Sequence, residues 1–249
     1  PSVGGVLEFG NPDRGKTLVL NGHIDVAPVE SDDWETDPFD PTWNEDQLMG
    51  RGVVDMKSGY TACLFAARRL ADKEVDLDGR IVVESVAGEE DLGLGATAAA
   101  LNNTYPFERD ADIVAEPTNL RPHSACDGSL MMKLTMNGES AHAAKIWEGE
   151  SVLPHFEEIR RAFKQLEAER GERINHPLDT DLPVAWPVNI GTVNAGSWPV
   201  TVPAHLEAEM RVGLAPGETV SEVKQEFQKR LQTIVDRNEW LSDQPPTLE

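Results

Sequence analysis

Short apolar runs alternate with stretches of helical period through the first half of the chain. Residues 17–20 form an apolar run that closes on Asn21-Gly22. Residues 81–86 and 111–115 form two more, the last halted by Glu116-Pro117. Between them, residues 53–55 lead into residues 58–70 (SGYTACLFAARRL), where Leu64, Ala67 and their neighbours recur at helical spacing. Residues 96–101 are a shorter helix candidate. Strands alternating with helices predict an α/β layer on a mixed, mostly parallel sheet flanked by helices.

The rhythm changes near Asp127. Residues 130–136 (LMMKLTM) read as a strand and residues 151–170 as a long charged helix. Residues 188–193 and 205–212 alternate like half-exposed strands, and residues 220–235 are again helical. The order β-α-β-β-α predicts a smaller α+β domain of the split βαβ, ferredoxin-like kind. The expected boundaries are 1–126 for the first domain and 127–236 for the second. Residues 237–249, which carry no strong pattern, are expected to begin a return to the first.

Composition narrows the function classes. The 249 residues hold 44 acidic and 22 basic side chains, a net charge of −22. Such a chain repels polyphosphate, so nucleic acid is not an expected partner. No run of 18 or more apolar residues occurs, so no membrane partner is expected either. The acids are dispersed, and only eight of the basic residues are Lys against fourteen Arg. This balance predicts a halophilic protein, soluble at high salt and self-repelling at low salt. Cys63 and Cys126 offer no disulfide framework or metal knuckle, which points to a reducing, cytoplasmic setting. Cys63, inside the helical pattern, reads as a small buried hydrophobe.

Four groups of acidic or imidazole residues stand at the ends of the expected strands, where α/β sheets bind ligands. In NGHIDVAP, His23 and Asp25 are two apart and point to one side of an extended segment. In GRGVVDMKSG, Asp55 precedes the helix pattern, as a helix cap or as a carboxylate shared by metal ions. In AGEEDLGLG, Glu89 and Glu90 are adjacent, as in an acidic loop or a site where a cation offsets their repulsion. In ADIVAEPTN, Glu116 is held extended by the following proline. Singly, each group is ambiguous.

As an ordered series they resemble the metal-dependent amidohydrolases that include acetylornithine deacetylase and succinyl-diaminopimelate desuccinylase. GHIDVAP, the Trp34–Phe39 stretch W-x-x-DPF, GRGVVDMKSG, GEEDLGLGA and AEPT all match signatures of that family. The resemblance implies a catalytic domain followed by a lid and dimerisation domain. It implies that His23 ligates one metal, that Asp55 bridges two, that Glu116 completes the first and that Glu90 ligates the second. Glu89 would be the general base and Asp25 the group that holds His23. Zinc is the implied cofactor, two ions per full-length subunit, with cobalt or manganese also suited to oxygen and imidazole donors. In ESAHAAKIWEG, His142 would stabilise the tetrahedral oxyanion. In EMRVGLAPGET, Arg211 would hold a substrate carboxylate. Without the flanking matches, the two read as a surface histidine and an exposed strand arginine.

The implied reaction is hydrolysis of the amide of a small N-acyl amino acid or diamine, releasing acetate or succinate, in a homodimer. Several relatives carry an asparagine where this chain has Val200. The family's second metal is completed by a later histidine, and His123, His155, His176 and His205 lack the matching context. The resemblance therefore implies that these residues are part of a longer enzyme and that the piece itself is inactive. Two other readings stand beside it: a small-peptide exopeptidase of the same family, and a non-catalytic dimerisation or binding module.

Overall fold

The computed structural model describes residues 2–30, 34–73, 75–90, 93–102, 104–123, 126–174, 176–177 and 182–249. The chain divides into two units, Pro1–His123 and Ser124–Glu249. In the first, strands β1 (Val3–Phe9) and β2 (Lys16–His23) belong to the main sheet. A separate ribbon follows, made of β3 (Thr42–Asn44) and β4 (Gln47–Met49). Helix α1 (Ser58–Asp72), strand β5 (Gly79–Val86), helix α2 (Leu94–Leu101) and strand β6 (Ala111–Val114) complete the unit. The main sheet has the order β1-β5-β2-β6, with β1 antiparallel to β5 and β2 parallel to both β5 and β6. This is the mixed, mostly parallel sheet that the hydrophobic pattern predicts.

Strand β2 is buried over nearly all its length, as an inner parallel strand should be. It does not stop at Asn21-Gly22 but runs on through His23. Two contacts override the turn signal. The Asn21 amide donates to buried Glu84 at 3.2 Å. A Cβ on Gly22 would lie 2.5 Å from Cδ2 of Tyr60, so glycine lets α1 approach the strand. Helix α1 buries Cys63 and Ala67 against Phe9, Leu20 and Ile81. At its first turn a Cβ on Gly59 would meet the Ala115 carbonyl at 2.0 Å. The end of β2, the start of α1 and the chain leaving β6 thus converge.

The second unit contains β7 (Gly128–Asn137), α3 (Val152–Arg173), β8 (Val188–Ala195) and β9 (His205–Leu214). It closes with α4 (Val220–Val235), α5 (Glu239–Asp243) and β10 (Thr247–Leu248). Its sheet is antiparallel throughout, in the order β10-β7-β9-β8. Met132, Leu134 and Met136 alternate inward from β7, and Leu206, Ala208, Met210 and Val212 from β9. They meet Phe156, Ile159 and Phe163 of α3 and Val223, Phe227 and Leu231 of α4. Phe163 and Phe227 pack edge to face with ring centroids 5.1 Å apart. Within this unit, fully buried Arg170 donates to Glu218 at 2.6 Å and to the Gly213 carbonyl at 3.0 Å.

The two units divide between His123 and Ser124. Towards Glu249, β10 pairs with β7, Leu248 opposite Leu134. Leu241 and Leu248 are buried in the second core, two apolar side chains too widely spaced to declare an element in sequence. Among the described residues no helix is long and apolar enough to cross a membrane.

Candidate metal centre

His23 is the last residue of β2, and its side chain is fully buried. Its Nδ1 lies 3.0 Å from the Asp25 carbonyl oxygen. A carbonyl can only accept, so Nδ1 carries a proton and Nε2 is turned toward the carboxylates. Nε2 stands 3.0 Å from Oδ1 of Asp55, 3.8 Å from Oε1 of Glu116 and 3.9 Å from Oε2 of Glu89. The main-chain N–H of His23 meets Sδ of Met56 at 3.3 Å. That methionine is fully buried and follows Asp55 directly, which fixes the Asp55 turn beneath the imidazole.

Asp55 is not a helix cap. The cap of α1 is Lys57, with no side-chain hydrogen bond, and Asp55 sits upstream in extended geometry (φ −112°, ψ 102°) within the irregular turn Val53–Lys57. Glu89 and Glu90 follow β5, and Glu116 lies two residues beyond β6. His23, Asp55 and Glu90 can bring one donor atom each to within 4.8 Å of one another, and so can His23, Glu89 and Glu116. All five residues singled out as ligands or base are thus brought together. Glu116 also shares a side-chain hydrogen bond with Asp55, so His23, Asp55 and Glu116 adjoin as well. Asp91 and Leu92 of the GEEDLGLG motif lie outside the described residues.

Asp25 meets His23 and also the Glu89-Glu90 turn. Its contact with His23 runs through the main-chain carbonyl, while its Oδ1 stays 3.6 Å from Nδ1. Its Oδ2 accepts from the Glu90 N–H at 3.1 Å. Burial alone would raise the Asp25 pKa, but the N–H groups of Glu89, Glu90 and Asp25 itself bring it below the usual carboxylate range. The residue pins the Glu89-Glu90 turn. Glu90 in turn accepts from the Ala27 N–H at 2.9 Å.

The electrostatics record crowding of like charge. Burial, then the neighbouring Asp55 carboxylate, push Glu116 up to about 7. Burial drives the His23 pKa down, but its hydrogen bond to Asp55, the Asp25 carbonyl, and Glu116 and Glu89 raise it overall. One imidazole and four carboxylates at a single point suit a divalent cation, which would replace protons that the cluster otherwise holds. Oδ1 of Asp25 is buried without a hydrogen-bond partner, a further sign of uncompensated negative charge. His23, Asp55, Glu89, Glu90 and Glu116 are the residues that could hold it.

His142 and Arg211 belong to the second unit. His142 caps the 3-10 turn Ala143–Glu148, its Nδ1 accepting from the Ala144 N–H at 3.0 Å. With Nδ1 accepting, the Nε2 position is the one that can donate. Arg211 is exposed on β9, opposite Met131 of β7 and Asn189 of β8. Sequence reasoning passed over Met56, the buried Asn21 and Glu84, and the partly buried Arg109. The available signal was a glutamate at a core position of an apolar strand, in RIVVESV.

A mixed sheet carrying a histidine and carboxylates at its strand ends, with a separate antiparallel α+β unit, defines the class. The chain belongs to peptidase family M20/M25/M40, whose sequence profile matches residues 19–240. A dinuclear metal-binding peptidase of family M20 from Bacillus subtilis superposes with a TM-score of 0.59 at 15% identity, over 100% of this chain and 60% of that one. The chain is 28% identical over 262 residues to the N-formyl-4-amino-5-aminomethyl-2-methylpyrimidine deformylase of Halalkalibacterium halodurans, covering 99% of this chain and 59% of that protein. It is 28% identical over 221 residues to the acetylornithine deacetylase of Yersinia pseudotuberculosis, covering 88% and 55%. The crystal structure of an M20 family metallo-carboxypeptidase from Sulfolobus solfataricus superposes with a TM-score of 0.71 at 18% identity, over 100% of this chain and 66% of that one. The chain thus spans little more than half the length of these curated relatives.

Proposed function

We propose that this chain carries the metal centre of a hydrolase that cleaves the amide of a small N-acyl amino acid or diamine. The observation that carries the reading is the convergence of His23 Nε2 with Asp55, Glu89 and Glu116 at the strand ends. Zinc is the proposed metal, with His23, Asp55 and Glu116 at one position and Asp55 and Glu90 at a second. When bound, such ions act as Lewis acids and lower the pKa of water toward about 7. Glu89 is the proposed general base: its carboxylate takes a proton from the attacking water and returns it to the leaving amine. Asp25 holds the Glu89-Glu90 backbone and orients His23. His142 would donate Nε2–H to the oxyanion, and Arg211 would pair with a substrate carboxylate. A cytoplasmic homodimer formed through the second unit belongs to the same proposal, and light scattering tests the dimer.

The acyl group is the finer question. Acetyl and succinyl are the first candidates, and the deformylase relative adds formyl. A panel of N-acetyl, N-succinyl and N-formyl amines together with dipeptides, run on metal-stripped and metal-restored full-length protein, tests the reading. Turnover of an N-acyl substrate that vanishes with chelator and returns with Zn²⁺ or Co²⁺ is expected. Turnover of dipeptides alone favours the exopeptidase alternative, and no turnover of any member contradicts the proposal.

A further inference from the structure

Glu84 is a buried carboxylate that the metal centre itself does not use. It lies on β5 directly opposite Asn21 of β2, one pleat below the row that pairs Val86 with His23. Asn21 and His23, two apart on one strand, point to the same face. Glu84 is only 4% exposed. Its Oε2 accepts from Asn21 Nδ2 at 3.2 Å and from Arg109 Nη1 at 3.0 Å. Its Oε1 accepts from Arg109 Nη2 at 2.7 Å. The same Nη2 donates to the Ala99 carbonyl of α2 at 2.9 Å. Arg109 precedes Asp110, which is fastened to the start of β2 by a 3.0 Å backbone bond to the Thr17 carbonyl.

One carboxylate therefore joins β5 to β2 and to the chain entering β6, and through Arg109 to α2. These are the elements that deliver donors. His23 ends β2, Glu89 and Glu90 lie between β5 and α2, and Glu116 follows β6. A bidentate guanidinium–carboxylate pair imposes a fixed planar geometry that a single hydrogen bond does not. Metal coordination is sensitive to donor positions at the level of about 0.2 Å.

We propose that Glu84 and Arg109 are a positioning pair, which sets the lateral spacing of the strand ends and thereby the donor geometry of the metal centre. This rests on the metal reading above, and the test separates the two. Co²⁺ is titrated into the full chain as wild type, Glu84→Gln, Arg109→Lys and a control, Ala67→Gly, well below the unfolding temperature. Ala67 lies in the core with Phe9, Leu20 and Ile81. The two charged-pair variants are expected to weaken Co²⁺ binding by about 10–100-fold and to change its visible absorption. The control is expected to lower Tm while leaving affinity and spectrum unchanged. Wild-type affinity and spectrum in a folded Glu84→Gln or Arg109→Lys would overturn the proposal, and so would equal weakening by Ala67→Gly. Should neither pair variant fold, Asn21→Ala removes one bond and keeps the ion pair, and an unchanged spectrum in that variant counts against the idea. A wild-type chain that binds no Co²⁺ overturns the metal reading and this inference with it, whereas unaffected variants of a binding wild type overturn this inference alone.

Discussion

Nε2 of His23 and Oδ1 of Asp55 stand 3.0 Å apart, although the two residues come from a strand end and an irregular turn 32 positions away. The contact exists because Gly22 and Gly59 let α1 press against the sheet, carrying the turn before it to the end of β2. The hydrogen bond to Asp55 helps to raise the His23 pKa. The same two atoms are the natural pair of donors to a divalent ion.

That relationship fixes a pH dependence. Glu116 has its pKa raised from the usual 4.5 to about 7, and that of His23 is also raised. A raised folded-state pKa means that the folded protein binds more protons than the unfolded one between the two values. The metal-free chain should therefore lose stability as pH rises from about 4.5 through 7. Metal affinity should increase over the same window, because the ion displaces those protons. Calorimetric titrations in buffers of different ionisation enthalpy should show proton release on Zn²⁺ binding near pH 6. Binding independent of pH between 5 and 8 would contradict this.

Glu89 approaches His23 Nε2 to 3.9 Å and leaves 40% of its side chain exposed, so it can reach a water or substrate. Glu89→Gln should retain metal and lower kcat of the full-length enzyme by about 10²–10⁴-fold. Metal content and kcat measured on the same sample decide it. A loss of metal in step with activity would make Glu89 a ligand instead of a base.

Arg170 anchors the second unit. Arg170→Ala leaves Glu218 and Glu226 without their buried partner. Removing one member of a buried pair costs about 3–5 kcal/mol. Urea unfolding followed by the fluorescence of Trp186, which is buried in that unit, should report the loss. A change below about 1 kcal/mol would place the pair among surface ion pairs in energetic terms.

A net charge of −22 predicts salt dependence. Raising salt from about 0.01 M to 1 M shortens the Debye length from about 30 Å to 3 Å and suppresses self-repulsion. Tm should rise across that series. A flat or falling Tm would remove the halophilic reading.

Much of this was legible in the sequence because apolar runs and acidic strand ends are local signals. Helix α4 has the bounds that its period predicts, and β2, β5 and β6 lie where the apolar runs place them. What was not legible depended on tertiary contacts. Strand β1 carries two glycines and is exposed along most of its length, so it has no strong pattern. Strand β10 is two residues long and exists only through its pairing with β7. At the site, the residue types could be read but not the partners. Taken alone, Asp55 read first as a helix cap, and the position of Lys57 at the head of α1 removes that role. The Asp25 carboxylate turned to the Glu90 backbone, a choice that no spacing rule encodes.

The account stands on the strand-end cluster being a metal centre. Zn²⁺ titration of the metal-free chain by isothermal calorimetry, alongside His23→Ala and Asp55→Ala, tests that most directly. At least one ion per wild-type chain is expected, with binding lost in both variants while their circular dichroism stays that of the wild type. No zinc binding by the wild type, or binding unchanged in both variants, would contradict the account.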